Sequence, residues 1–315
     1  MVCEVKSRFG YSGWLLLFLL LVMPIAAMAE KRVALTYDDA PRSDGQVFTG
    51  PERATALIDA LGSVDAGPVA FFVTTRGFEQ NGEGRERIAR YAAAGHLVAN
   101  HTHTHPWAHK TDVSAYLTDV DQAIRELEGF DNFRPWFRFP FLDEGRSPEK
   151  VKAIADALTE RGLANGYVTI DNYDWYIDSK LQEALKAGRD VDYDALGKLY
   201  VNMLLYSAEY YDSVAVQTLD ESPVHVLLLH ENDLAAMFAD ELVAAFRKNG
   251  WEIVSPDVAY EDPLPVPSSL RTGQGRVVAL ANDAGRAPTT MWTWAIDEQM
   301  IDVQIERSGA FGDAK

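Results

Sequence analysis

Between Val33 and Val254 the chain repeats one unit: a short apolar run suited to a buried strand, a polar end, and a stretch of helical spacing. Seven such runs are expected, at Val33–Tyr37, Val69–Val73, His96–Ala99, Trp136–Phe139, Tyr167–Ile170, His225–Leu229 and Ile253–Val254. Strands that alternate with helices must lie parallel, so the repeat predicts an α/β fold built on a parallel sheet or barrel. Such a fold has a working face, because loops converge where the strands end. Here Asp38 and Asp39 follow the first strand, His101 and His105 the third, and Arg138 ends the fourth. Asp171 and Asp174 follow the fifth, and His230 the sixth. Acid–base groups thus recur at five strand ends.

The repeat begins only after residue 30. Before it, Lys6 and Arg8 precede the apolar run Trp14–Met23, and Ala27-Met28-Ala29 offers small residues at −3 and −1. Residues 1–29 therefore read as a signal peptide, the run being short of the roughly 20 residues a spanning helix needs. An uncleaved anchor is the alternative reading. Cleavage would remove two basic residues, one acidic residue and the single cysteine, Cys3, taking the net charge from −18 to −19. The expected product is exported, periplasmic or secreted, with no stable membrane insertion. With 47 acidic against 29 basic residues, a nucleic-acid partner is excluded, since a phosphate backbone demands a basic surface. The barrel is expected over residues 30–261. The Pro-rich stretch Asp262–Pro267 marks a break, and residues 262–315 read as an extension or linker, with a strand at Arg276–Leu280 and a helix near Asp297–Val303.

Each strand-end residue also has a plain structural reading. Asp38-Asp39-Ala40-Pro41 could be a turn, His101 to His105 a polar loop, and His230 a packed core histidine. Together they suggest more. Two histidines four apart can meet one metal, and two histidines plus a carboxylate form a common catalytic zinc shell. Of two adjacent carboxylates, one can ligate while the other takes a proton from water. His230, on the same rim, becomes a candidate acid for a leaving amine. No cysteine or serine motif for a covalent intermediate is evident, so direct attack by water is favoured.

The segments Thr36-Tyr37-Asp38-Asp39-Ala40-Pro41, His101-Thr102-x-x-His105-Pro106, Arg138-Phe139-Pro140-Phe141, Asp171-x-x-Asp174-Trp175 and Leu227-x-Leu229-His230 occur in that order. Together they resemble the five motifs of the polysaccharide deacetylase family, which acts on chitin, chitooligosaccharides and peptidoglycan and includes acetylxylan esterases. The resemblance spans residues 33–230 and implies a distorted (β/α)7-type barrel with the active site at the C-terminal strand ends. It implies that Asp39, His101 and His105 hold a divalent metal, most often Zn2+. Asp38 would be the general base, kept ionised by Arg138, and the Phe141 backbone N–H would help stabilise the oxyanion. His230, oriented by Asp174, would protonate the leaving amine, while Trp175 and Leu227 or Leu229 would wall the acetyl pocket. Ala40, Tyr37 and Phe141 depart from the usual Gly, Phe and Tyr without removing a reactive side chain. The implied activity is N-deacetylation of an acetylated carbohydrate by metal-activated water, releasing acetate. The alternatives are O-acetyl ester or non-sugar amide hydrolysis on the same barrel, and a non-catalytic carbohydrate-binding relative.

Overall fold

The computed structural model describes residues 1, 2, 4, 31–268 and 273–314. The expected signal peptide, residues 1–29, thus lies almost wholly outside the described residues. Among these residues, no helix is long and apolar enough to cross a membrane.

Parallel strands form the centre: β1 (Lys31–Ala40), β2 (Ala70–Val73), β3 (Leu97–Asn100), β4 (Phe133–Phe137) and β5 (Ala164–Asn165). A short antiparallel ribbon pairs β6 (Arg189–Val191) with β9 (Phe311–Ala314). Between them in sequence come β7 (Val224–His230) and β8 (Trp251–Ile253). The sheet runs β5-β4-β3-β2-β1-β7, and β8 pairs the start of β1. Beyond β5, Ile170 bridges Leu227 of β7, so the segment after β5 reaches the far edge and curls the sheet into a distorted barrel. The fifth expected strand, Tyr167–Ile170, is therefore divided between β5 and this bridge. The division has local causes. The Val168 carbonyl accepts from the Arg276 N–H (2.7 Å), and the Gly166 carbonyl from Arg138 Nε (2.8 Å). A Cβ on Gly166 would lie 2.6 Å from the Phe72 ring, so only glycine lets the chain pass there.

Alternation along the strands separates two cores. One face of β1 carries Val33, Leu35 and Tyr37 into the large core under the helices. Ala34 belongs instead to a small cluster with Tyr167, Val226 and Ala259. The helix Gly50–Ser63 shows how the outer layer is written. Thr49 and Glu52 form a capping box, Pro51 opens the first turn, and Ala54, Leu57 and Leu61 face the core. Burying each leucine contributes about 2 kcal/mol.

The C-terminal residues join the same packing. Arg276–Asp283 is a helix, not the expected strand. Its run of short apolar residues fits either state, and the helical spacing of Val277, Val278 and Ala281 meets the large core. The second expected element is a helix at Glu298–Ser308, with Ile301 buried.

Candidate active site and metal centre

Register brings the strand ends together. Asp38 of β1 pairs with His230 of β7, Ala40 with Val73, and Asn100 of β3 with both Val73 and Phe137. The β1–β2 register slips between Tyr37 and Ala40, and Asp39 has φ 65°. A bulge of this kind breaks the alternation that would send neighbouring side chains to opposite faces. Asp38 and Asp39 thereby line the same cleft of about 490 Å³, together with His101, His105, Trp175 and His230.

Asp39, His101 and His105 each offer a ligand atom, all within 4.8 Å of one another. His105 Nε2 lies 3.1 Å and His101 Nε2 3.6 Å from Asp39 Oδ1. That oxygen is nevertheless buried with no hydrogen-bond partner among the described residues. Lone pairs that converge on one point without bonding each other fit a divalent cation, and the donor set is one zinc accepts. His101 Nδ1 donates to the Arg138 carbonyl at 2.8 Å, which turns Nε2 towards the site. His105 and Thr102 both have positive φ, 60° and 70°, so the loop after β3 is tightly turned.

Asp38 is almost fully buried, with Oδ1 2.6 Å from Arg138 Nη1. Arg138 is itself held on every side. It donates to Thr36 Oγ1 (2.7 Å), the Gly166 carbonyl (2.8 Å) and Tyr260 Oη (3.0 Å), and its guanidinium lies 3.7 Å over the Phe72 ring. Asp38 thus has one oxygen committed to a fixed cation and the other, Oδ2, 3.8 Å from His101 Nε2.

His230 Nδ1 donates to Asp174 Oδ1 at 2.6 Å, and the His230 backbone N–H to Oδ2 at 2.9 Å. Asp174 opens the helix Asp174–Lys186, and Asn232 Nδ2 also donates to it. Burial pushes the His230 imidazole down, but the Asp174 carboxylate outweighs it and raises the group to about 9. Asp171 lines the same cleft, and burial lifts its carboxyl to about 7.

Other expected residues fall as follows. Phe141 has φ 58°, and its ring stacks on Trp107 at 3.8 Å and meets His105 edge-on at 4.4 Å. Trp175 lines the cleft beside Tyr173, 5.2 Å away. Leu227 and Leu229 do not reach it: both are fully buried in the large core, and Leu228, on the opposite face of β7, lines the cleft instead. Parity explains this, since neighbours on a strand alternate. Residues that motif reading passed over include Asn172, which clasps the Leu228 carbonyl (2.6 Å) and the Asp174 N–H (2.9 Å), and also Tyr260, Trp107 and Arg42. Only Asn172 sits inside a motif, as an unspecified position.

Residues 26–163 match the family model described as polysaccharide deacetylase. A chitin deacetylase from Colletotrichum lindemuthianum is 33% identical over 115 residues, 35% of this chain and 42% of the relative. The chain thus spans about two-fifths of the length of the curated relative it matches. Among solved structures, a Bacillus cereus polysaccharide deacetylase superposes with a TM-score of 0.53 at 20% identity, covering 75% of this chain and 96% of that one. The Colletotrichum lindemuthianum chitin deacetylase structure gives 0.50 at 17% identity, covering 75% and 90%. At these identities the structural likeness establishes the barrel.

Proposed function

From a chain whose residues 26–163 belong to the polysaccharide deacetylase family, we propose a metal-dependent hydrolase that removes N-acetyl groups from a GlcNAc-type carbohydrate and releases acetate. One observation carries this reading: a carboxylate held by a fixed arginine and a histidine held by a buried carboxylate flank one triad of metal-ligating atoms in one cleft. A binding protein needs the triad at most; it has no use for both a base and an acid.

Asp39, His101 and His105 would hold the metal, which supplies Lewis acidity towards the acetyl carbonyl and makes a water more acidic. Asp38 is the base that takes the proton from the attacking water. Its orientation is fixed by Arg138, which also bars it from swinging away. The Phe141 N–H is the candidate backbone donor to the oxyanion, held by a turn in the left-handed region. His230 carries the proton for the departing nitrogen on Nε2, while Nδ1–H stays on Asp174. An amine must be protonated before it leaves, and an imidazole raised to about 9 is charged at neutral pH. Trp175, Tyr173 and Leu228 wall the cleft against which the acetyl group packs.

Acetate release should be measured from chitooligosaccharides, peptidoglycan, acetylxylan and simple amides, with metal content determined on the same preparation. Release from GlcNAc-containing substrates by protein with near-stoichiometric divalent metal is expected. Release from acetylxylan alone would move the reading to an esterase, and failure of metal-loaded protein on all four would overturn it.

A further inference from the structure

A second groove of about 280 Å³ leads away from the metal triad, sharing Asp39, Arg42 and His105 with the cleft. Its chemistry runs against the rest of the molecule. The chain carries −18, yet the groove is lined by Arg42, Arg76, Ser43 and Thr74, and its one carboxylate is Asp39, already committed to the triad. Arg53, Arg87, Arg134, Arg138 and Arg161 each hold a carboxylate. No ion pair to Arg42 or Arg76 occurs among the described residues. Arg42 Nη1 and Thr74 Oγ1 are buried there without a hydrogen-bond partner among the described residues. Arg87 Nε and Arg90 Nε are also buried unpaired, but the rest of each guanidinium is held, by Glu231 and the Arg42 carbonyl or by Thr55 and the Pro51 carbonyl. The Arg42 guanidinium has no such partner among the described residues, so its costly buried donor is best explained by a ligand that completes it.

The groove is also preorganised. The Arg42 backbone N–H donates to Glu231 Oε2 (2.7 Å), and its carbonyl accepts from Arg87 Nη1 (2.8 Å). Opposite, the Thr74 N–H bonds to the Ala40 carbonyl and the Arg76 N–H to the His103 carbonyl. Both arginines thus spring from fixed backbone beside the reaction centre. A planar guanidinium with free N–H groups matches a carboxylate in two parallel bonds.

We propose that this groove is an anion subsite, in which Arg42 and Arg76 bind a carboxylate carried by the saccharide next to the acetamide that is cleaved. The substrate class is then an acidic acetylated glycan, not a neutral chitin-type chain. This rests on the deacetylase reading of the cleft. Arg42 and Arg76 act as specificity-determining residues and take no part in the bond-breaking step.

The test uses a short GlcNAc-containing oligosaccharide bearing one carboxylate on the adjacent sugar, and its methyl ester as a neutral isostere. Dissociation constants and acetate release are measured for the full chain and for Arg42→Gln and Arg76→Gln. The wild-type protein should bind the acid at least tenfold more tightly than the ester, with the preference visible mainly in KM. Arg42→Gln should abolish that ratio, and Arg76→Gln should reduce it. Equal binding of acid and ester by the wild-type protein, or a ratio unchanged in both variants, would overturn the subsite. Acetate release from both compounds without preference would leave the deacetylase standing and the subsite refuted. Charge-selective binding without release from any acetylated compound would do the reverse.

Discussion

His230 and Glu231 are consecutive residues at the end of β7, yet they belong to charge clusters of opposite design. Glu231 is fully buried and saturated: it accepts from Arg87 Nη2 (2.7 Å), the Tyr91 hydroxyl (2.9 Å) and the Arg42 N–H (2.7 Å), with Arg53 3.7 Å away. Asp233 beside it accepts from Arg53 Nε (2.8 Å), the Val47 N–H (3.1 Å) and Gln182 (3.0 Å). Tyr91 is driven well above the usual phenol range by burial and then by Glu231, so it stays a donor. The His230 side opens to the cleft. Asp39 and His105 keep side-chain exposures of 29% and 24%, and Asp39 Oδ1 has no hydrogen-bond partner among the described residues. A cluster whose carboxylate oxygens are all taken stabilises and positions, even with Arg87 Nε left without a partner among the described residues; one that leaves an acceptor aimed at a cleft is built to take something more.

The comparison can be broken most forcefully at Asp38. Asp38→Asn keeps the shape and removes the base, so acetate release should fall by roughly 10²–10⁴. Metal content should stay at the wild-type level, because the three ligands are untouched. Turnover within tenfold of wild type would deny Asp38 its role. On the sealed side, Glu231→Ala strands the Arg87 guanidinium and the Tyr91 hydroxyl in the interior and should cost about 3–5 kcal/mol. Urea unfolding reads this directly, and a loss under about 1 kcal/mol would mean that water reaches the cluster.

These two regions also differ in how far the sequence revealed them. The open cluster was legible because parallel strands deliver their ends to one rim, so a carboxylate pair, a histidine pair and a terminal histidine in order already imply proximity. The sealed cluster left no such trace: Arg53 and Arg87 lie 180 and 144 residues from their partners Asp233 and Glu231, with no motif at either end. Smaller errors share a local cause. A run such as Val226-Leu227-Leu228-Leu229 hides its parity, because a strand packed on both faces is apolar at every position. The run after Arg276 is equally silent between strand and helix until the core it meets is known.

The open cluster also predicts a response to pH, carried by His230. In the metal-free protein the folded His230 titrates at about 9, above its unfolded value near 6.5, because the burial that lowers it is outweighed by Asp174. Its contribution to stability is therefore complete below about 6.5 and lost as pH rises through about 9. Asp174→Asn removes the raising cause and leaves the burial, so this loss should largely vanish. In the metal-loaded enzyme the basic limb of activity should move down. An unmoved limb would show that another group supplies the leaving-group proton.

The smallest expected effect lies where the sealed cluster meets the surface. Thr49 caps the helix Gly50–Ser63: its Oγ1 accepts from the Glu52 N–H (3.4 Å), and its N–H donates to Glu52 Oε2 (2.9 Å). Thr49→Ala should cost about 1 kcal/mol, the usual worth of such a cap. Arg53 sits one residue further along that first turn, with its N–H on the Thr49 carbonyl (2.9 Å). If the Asp233 pair already anchors the turn, the cap loss and an Arg53→Met loss should add to within about 0.5 kcal/mol, as independent sites do. If the cap is what holds Arg53 in register, the double variant should lose clearly less than the sum, because fraying would already have broken the ion pair. Urea midpoints for the two single variants and the double decide between these, with the additive result expected. Arg53 Nε and Nη2 both reach Asp233 Oδ1 and Nη1 donates to the Ser43 carbonyl (3.0 Å), so the guanidinium stays anchored at every nitrogen whether or not the cap is present.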